Sequence, residues 1–336
     1  MKKIIITGGA GFIGSNFIEF IINKYQDYKI INIDNMTYAG KMENMKSFYN
    51  NPRHKFIEAD ISDNKTLENI FNENDISGVI HFAAESHVDN SIENPDLFIK
   101  TNINGTFNLL HNCYKKWMNK PFEYKNNSEK LIFLHISTDE VYGSLGSEGL
   151  FSEKSPYAPN SPYSASKAAS DMIVRSYFET YGLNTIITNC SNNFGPNQDS
   201  EKLIPKIILN ALRGENIPIY GDGLNVRDWL YVTDHCSAID RVYHKGKYGQ
   251  TYNIGGNTEK TNLEIVNHIC SILDEKKPKN ESYKELTTFV EDRPGHDKRY
   301  AVDSSKIEND LSWTRKENFD SAIIKTIDWY LEKEDE

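Results

Sequence analysis

Short β-branched and aliphatic runs recur at 3–7, 29–34, 54–58, 79–83, 131–137 and 184–188. Between them lie stretches with helical spacing of apolar positions, such as 12–25 and 63–74. Apolar strands that alternate with amphipathic helices imply a parallel sheet covered on both faces. Six such strands in order predict an α/β, doubly wound Rossmann sheet.

After about residue 190 the pattern loosens. Glycine and proline cluster at Gly195-Pro196, Gly221-Asp222-Gly223, Gly255-Gly256 and Pro294-Gly295. The expectation is a nucleotide-binding domain over 1–190 and a smaller α/β substrate-binding lobe over 191–225 and 257–336. A return to the sheet is expected within 226–256, near 229–244. Thr261-Asn262-Leu263-Glu264 reads as a capping box that opens a helix.

The chain has 336 residues, ample for a large core without disulfides. No window approaches ~18 uninterrupted apolar residues, so no membrane-spanning helix is expected. Met1-Lys2-Lys3 starts like a signal peptide, but glycines follow at once and leave no apolar region of ~7–15 residues. The net charge of −10 argues against nucleic acid as a partner. The four cysteines are far apart and form no CxxC, as expected of idle thiols in a reducing cytoplasm. The histidines show no HxxxH or HExxH spacing, so no metal is expected.

Gly8-Gly9-Ala10-Gly11-Phe12-Ile13-Gly14 follows the first strand and opens a helix. Either Gly8, Gly11 and Gly14 or Gly9, Gly11 and Gly14 can supply the glycine fingerprint. Such a loop lets backbone N–H groups approach a pyrophosphate at a helix N-terminus. Asp34 ends the second strand, 20 residues after Gly14. A carboxylate there accepts hydrogen bonds from adenosine ribose hydroxyls and repels a 2′-phosphate. With Asn35 next and no arginine nearby, NAD is expected rather than NADP. Asp60-Ile61 and Phe82-Ala83-Ala84 end the next two strands, where a cofactor would pass.

Tyr163 and Lys167 form a YxxxK behind Ser161-Pro162, an N-cap followed by proline at the first helical position. Four residues apart, they share a helix face. An ammonium ~6 Å from a phenolate interacts by roughly 2.8 kcal/mol at an effective dielectric of ~20. That would lower the phenol by about two pKa units and make Tyr163 a usable base. Thr138, Asp139 and Glu140 end the fifth strand, at the edge that faces the ligand crevice in such sheets. The two carboxylates read as an acid–base pair whose surroundings separate their pKa values, and Thr138 as a donor to a substrate hydroxyl. A solvated turn is the alternative.

These segments resemble the extended short-chain dehydrogenase/reductases. They are TGGAGFIGSN (7–16), TYAG (37–40), HFAAESHVD (81–89), STDEVYG (137–143), YSASKA (163–168), CSNNFGP (190–196), EKLIP (201–205), GDGLNVRDWLYV (221–232) and DRPGHDKRYAVD (292–303). The resemblance implies an NAD-dependent lyase that removes water from a nucleotide sugar. Tyr163 with Lys167 would oxidise C4, Glu140 would take the C5 proton, and Asp139 would protonate the leaving C6 hydroxyl. It adds Phe12, Ile13, Thr37, Gly40, Ser86, Thr101 and Cys190 to the cofactor site. Around the substrate it places Ser86, His87, Thr138, Asn192, Glu201, Lys202, Leu203, Arg227, Asn262, Arg293 and His296. The substrate would be dTDP-glucose, with UDP-glucose as the alternative. A 4-epimerase, a decarboxylase and a non-catalytic NAD-binding regulator are the rival readings. The chain departs from the family at Asn90, usually arginine, at Asn35-Met36, and at Asn197-Gln198-Asp199-Ser200 beside the expected base pocket. The resemblance also implies a homodimer, built from helices at 95–118 and 161–181. Leu109, Ala169, Ile173 and Tyr177 are its expected apolar contacts.

Overall fold

The computed structural model describes residues 1–126 and 131–335. Seven parallel strands form the central sheet: β1 (Lys2–Thr7), β2 (Tyr28–Asp34), β3 (His54–Glu58), β4 (Ile76–His81), β5 (Ile132–Thr138), β6 (Thr185–Cys190) and β7 (Thr251–Ile254). Their order is β7-β6-β5-β4-β1-β2-β3. The chain reverses direction across the sheet between β1 and β4, which opens a crevice at the strand C-termini.

Both faces are buried, which explains the unbroken aliphatic runs. Ile4 and Ile6 of β1 enter one core with Phe17, Ile18 and Ile21 of α1 (Phe12–Lys24). Ile5 enters the opposite core with Leu67 and Phe71 of α2 (Asn64–Glu73) and with Leu109 and Leu110 of α3 (Thr106–Trp117). Val174 and Tyr177 of α4 (Pro162–Tyr181) complete that second layer. Ser161 caps α4 by accepting from Ser164 N at 3.1 Å, with Pro162 at the first helical position.

Three differences from the sequence expectation have physical causes. The seventh strand is only four residues long and lies between glycines, so its periodicity is hard to read. The segment near 229 does not enter the central sheet. Val226–Tyr231 instead pairs with Asn192–Phe194 and Glu259–Thr261 in a separate three-stranded sheet. The return is made by the helix Val232–Lys245, which packs on α1, and then by β7. Finally, the helix expected over 95–118 contains a π segment, Ile99–Gly105, ahead of α3.

A further core lies beneath the crevice's other wall. Phe194, Ile204, Ile207, Trp229, Ile265 and Ile269 pack together there. The helix Asn262–Lys276 begins at the expected capping box: Thr261 N donates to Glu264 Oε2 at 2.7 Å, and Glu264 N donates to Thr261 Oγ1 at 3.1 Å. Among the described residues, no helix is long and apolar enough to cross a membrane.

Candidate active site

A cavity of about 590 Å³ runs along the C-terminal ends of the strands. Strand order arranges its lining. Asp60 and Ile61 follow β3, Asp34 ends β2, and Asn35, Thr37 and Gly40 follow it. Gly8, Gly11, Phe12, Ile13 and Gly14 follow β1. Phe82, Ala83, Ala84 and Ser86 follow β4, with Thr101 from the π segment. Thr138, Asp139 and Glu140 close β5, Cys190 ends β6, and Tyr163 and Lys167 project from α4.

Of the four glycines, Gly8, Gly11 and Gly14 line the cavity. Gly8 has φ +73°, and a Cβ on it would lie 2.6 Å from Ala83 N. A Cβ on Gly14 would lie 2.1 Å from Gly8 O. Gly9 lies against Asn32 and Ile18 and does not line the cavity. The loop and the start of α1 thus bring bare backbone to the crevice, as a pyrophosphate requires. Asp34 holds this loop: its carboxylate accepts from Ala10 N and Met36 N, each at 2.9 Å.

Asp139 and Glu140 have different surroundings. Asp139 is 2% exposed, and its Oδ2 has no hydrogen-bond partner. Burial, then the neighbouring Glu140 charge, pushes its carboxyl well above the usual range. Glu140 is also raised by burial, but Arg293, Lys202 and Arg227 all pull it down. Burial thus favours the protonated form of both carboxyls, and Glu140 has more cations opposing it. Thr138 Oγ1 accepts from Glu140 N at 3.2 Å and approaches Asp139 Oδ1 at 3.4 Å.

The simple electrostatic expectation for Tyr163 is not met. Its phenol is raised well above the ordinary value, first by burial and then by the Glu140 charge. The cost of removing a phenolate from water outweighs the attraction of Lys167. Lys167 is itself 4% exposed and is lowered by burial to about 8. Its ammonium donates to Ile136 O at 2.9 Å and lies 3.4 Å from His135 Nε2.

Of the residues expected around the substrate, Ser86, Thr138, Asn192 and Lys202 line the cavity. Lys202 Nζ donates to Ser86 O at 2.9 Å across the crevice. His87, Glu201, Leu203, Arg227, Asn262, Arg293 and His296 lie outside that lining. His87 Nε2 approaches Glu201 at 3.5 Å, and His296 pairs with Asp292 at 2.6 Å. Leu203 opens its helix and packs on the lower core. Asn262 N donates to Asn225 O. Arg227 donates to Val226 O and Asp297 O, each at 2.8 Å, and stacks on Tyr300. Arg293 donates to Asp89 at 3.1 Å.

Sequence reasoning missed Tyr38 and Glu85 in the lining, while Gln198 and Asp199 of the divergent segment also line it. It also missed His135 and Asp171 behind Lys167. Asp171 stands one helical turn after Lys167, a spacing that could have flagged it.

The profile described as GDP-mannose 4,6 dehydratase matches residues 5–326. A protein named dTDP-glucose 4,6-dehydratase from Neisseria meningitidis is 52% identical over 99% of this chain and 94% of its own. The crystal structure of dTDP-glucose 4,6-dehydratase from Bacillus anthracis in complex with NAD superposes with a TM-score of 0.87 at 46% identity, covering 100% of this chain and 98% of that one. The Streptomyces venezuelae enzyme of the same name, with NAD and TYD bound, gives a TM-score of 0.89 at 39% identity over 99% and 98% of the two chains. A match over nearly the full length, together with about half the residues identical, makes this chain a member of the GDP-mannose 4,6 dehydratase family, alongside the dTDP-glucose 4,6-dehydratases.

Proposed function

We infer that the protein is an NAD-dependent dTDP-glucose 4,6-dehydratase. The observation that carries this reading is the Asp139–Glu140 pair in the same cavity as Tyr163 and Lys167. One carboxyl feels a single cation, Arg227, and the other feels three, Arg293, Lys202 and Arg227. A 4-epimerase has no use for such a pair, because it eliminates nothing.

The bare-backbone loop at Gly8, Gly11 and Gly14 would hold the pyrophosphate of NAD, and Asp34 would take its ribose hydroxyls. When bound, NAD accepts two electrons and a hydrogen from C4, later returns them to C6, and adds a positive charge beside Tyr163. Tyr163 takes the C4 hydroxyl proton. The resulting C4 ketone acidifies C5, and Glu140 removes the C5 proton. Asp139 protonates the C6 oxygen, which leaves as water. Glu140 then returns its proton to C5, and a 4-keto-6-deoxy sugar nucleotide is released. Thr138 orients the C4 oxygen.

Residues 1–190 with 226–256 would carry the cofactor, and the remainder most of the substrate nucleotide. The homodimer belongs to the same reading, and of its four expected contacts Ala169 and Ile173 remain half-buried. Leu109 and Tyr177 are buried in the chain's own core. Leu97, Ile99, Phe107 and Met172 are the exposed apolar side chains on the two helical segments. Four buried free thiols and no long apolar helix among the described residues support a cytoplasmic location.

The test follows one hydrogen. dTDP-glucose deuterated at C4 should yield product with deuterium in the C6 methyl group. Deuterium recovered at C4 of a stereoinverted hexose would overturn the dehydratase reading. Turnover of UDP-glucose in preference to dTDP-glucose would overturn the nucleotide assignment.

A further inference from the structure

Lys167 carries its charge in a place that penalises it. Its side chain is 4% exposed, and burial lowers the ammonium to about 8. A neutral amine there would not hold Tyr163 as a phenolate, because only the ammonium attracts one. The bond from Lys167 to Ile136 O at 2.9 Å is to a neutral carbonyl and brings no negative charge.

Behind Lys167 lies a carboxylate that the mechanism does not use. Lys167 Nζ is 3.4 Å from His135 Nε2, and the same nitrogen is 3.3 Å from Asp171 Oδ1. Asp171 stands one turn after Lys167 on α4 and is 2% exposed. Its Oδ2 accepts from Ser137 Oγ at 3.0 Å and from the Tyr157 hydroxyl at 2.9 Å. The Asn189 side chain supplies a further hydrogen bond. Donors from three segments gathered on one carboxyl favour its ionised form, which only accepts. Oδ1 has no hydrogen-bond partner and faces the His135 nitrogen that Lys167 also meets.

We propose that Asp171 is a positioning residue for the reaction: it is the buried counter-charge that holds the proton on Lys167, with His135 as a neutral spacer between them. The inference rests on the reading of Tyr163 as the base for the C4 hydroxyl. A phenolate at Tyr163 is favoured only while the ammonium keeps its own proton. A negative charge behind the ammonium favours phenolate with ammonium over phenol with amine. The spacer has its own effect. Direct contact with the carboxylate would draw the ammonium away from Tyr163, whereas an intervening imidazole leaves the attraction and removes the bond. Burial and the Lys167 charge keep that imidazole neutral.

The surroundings leave Asp171 as the anion behind the lysine. Its charge raises Lys167 against burial, ahead of Cys190. Asp171 is itself raised by burial and then lowered first by Lys167, to about 6. Both members are therefore charged between about 6 and about 8. The groups facing the pair are Tyr163 on α4, His135 on β5, His81 on β4 with its ring centroid 5.2 Å from that of His135, Cys190 on β6, and Tyr142 and Tyr157 around Asp171. Burial keeps His81 neutral, and it raises the Cys190 thiol and the Tyr142 and Tyr157 phenols, so none of these is an anion at neutral pH.

The experiment reads the lysine itself. NAD-loaded protein is isotopically labelled at the lysine carbon bonded to the amine, and Lys167 is assigned by the signal lost in Lys167→Met. The NMR titration midpoint of Lys167 should fall by about one pH unit or more in Asp171→Asn, as loss of a nearby opposite charge requires. The kcat for dTDP-glucose should fall by about tenfold with KM nearly unchanged. An unmoved midpoint, or a lowered midpoint with unchanged kcat, would overturn the proposal. Asp171→Asn also leaves a buried ammonium uncompensated, so the melting temperature should drop, and adding Lys167→Met should recover most of that drop. Losses that simply add would overturn the counter-charge. If Asp171→Asn alone does not fold, the double variant should, and its failure to fold would overturn the counter-charge too. Unmodified protein that leaves dTDP-glucose untouched, while Asp171→Asn still shifts Lys167, would instead overturn the assigned activity.

Discussion

Asp139 and Glu140 are adjacent in the chain, but only Glu140 is drawn down by three cationic side chains. The contrast arises because the strand ends between them: Thr138 closes β5, and the tight turn over Asp139–Tyr142 sends one carboxyl inward and leaves the next partly open. Glu140→Gln and Asp139→Asn should each lower kcat by ~10²–10⁴. Glu140 must be ionised to act, so activity falls as pH drops through its pKa. Lys202→Met removes a cation that lowers that pKa, and the acidic limb of the kcat–pH profile should move to higher pH. An unmoved acidic limb would show that Lys202 does not act on Glu140.

Tyr163→Phe should retain the fold and NAD binding while turnover drops by ~10²–10⁴. Burial and Glu140 raise the Tyr163 phenol, so every nearby positive charge matters. Lys167→Met should shift the limb that reports Tyr163 ionisation to higher pH. Near-normal turnover in Tyr163→Phe would mean that another group takes the C4 proton.

The glycines of the cofactor loop should separate by contact. A methyl on Gly11 meets only Gly8 O at 3.3 Å, whereas one on Gly14 would sit 2.1 Å from the same oxygen. Overpacking of the second kind costs ~1–3 kcal/mol. Gly14→Ala should therefore weaken NAD by about tenfold or more in a titration, and Gly11→Ala by less. Gly9→Ala presses on Asn32 and Ile18 away from the cavity, so it should lower the melting temperature more than the NAD affinity.

Asp34→Ala should do two things at once. It removes the carboxylate expected at the ribose, so preference for NAD over NADP should shrink. It also frees Ala10 N and Met36 N, so the loop should lose order and NAD itself should bind more weakly. Calorimetric titration with both dinucleotides separates the two effects. Equal affinity of the unmodified protein for NADP would defeat the cofactor assignment.

What the sequence made legible follows from range. Strand runs, the Ser161 and Thr261 caps, the glycine loop and the Tyr163–Lys167 pair depend on neighbours within about five residues. His135, Asp171 and Tyr157 come from three segments; only the one-turn spacing of Asp171 after Lys167 is local, and nothing in HIST at 135–138 announces their meeting. Arg227 was named from the resemblance, which says nothing of the two N–H groups that its guanidinium gives to the carbonyls of Val226 and Asp297. Short β7 and the π segment at Ile99–Gly105 were set by packing rather than by periodicity.

On mild acidification one buried histidine should remove a measurable share of the stability. His235 is fully buried, with Nδ1 2.8 Å from Asn193 Oδ1 and Nε2 without a hydrogen-bond partner. Burial lowers it from 6.5 to about 3. In the unfolded chain it takes a proton near pH 6.5, but in the folded chain it does not until about 3. Between those values the unfolded state binds more protons, so stability is lost as pH falls below 6.5. At pH 5 the loss from this one group is about 2 kcal/mol. His81 and His135, also lowered well below their ordinary value by burial, act in the same direction. Asp171, raised to about 6, acts in the opposite direction between its unfolded value and 6, so the total slope is a difference. His235→Asn isolates one contribution. Its melting temperature should drop less between pH 7 and pH 5 than that of the unmodified protein. An identical drop would show that His235 takes up its proton in the folded state.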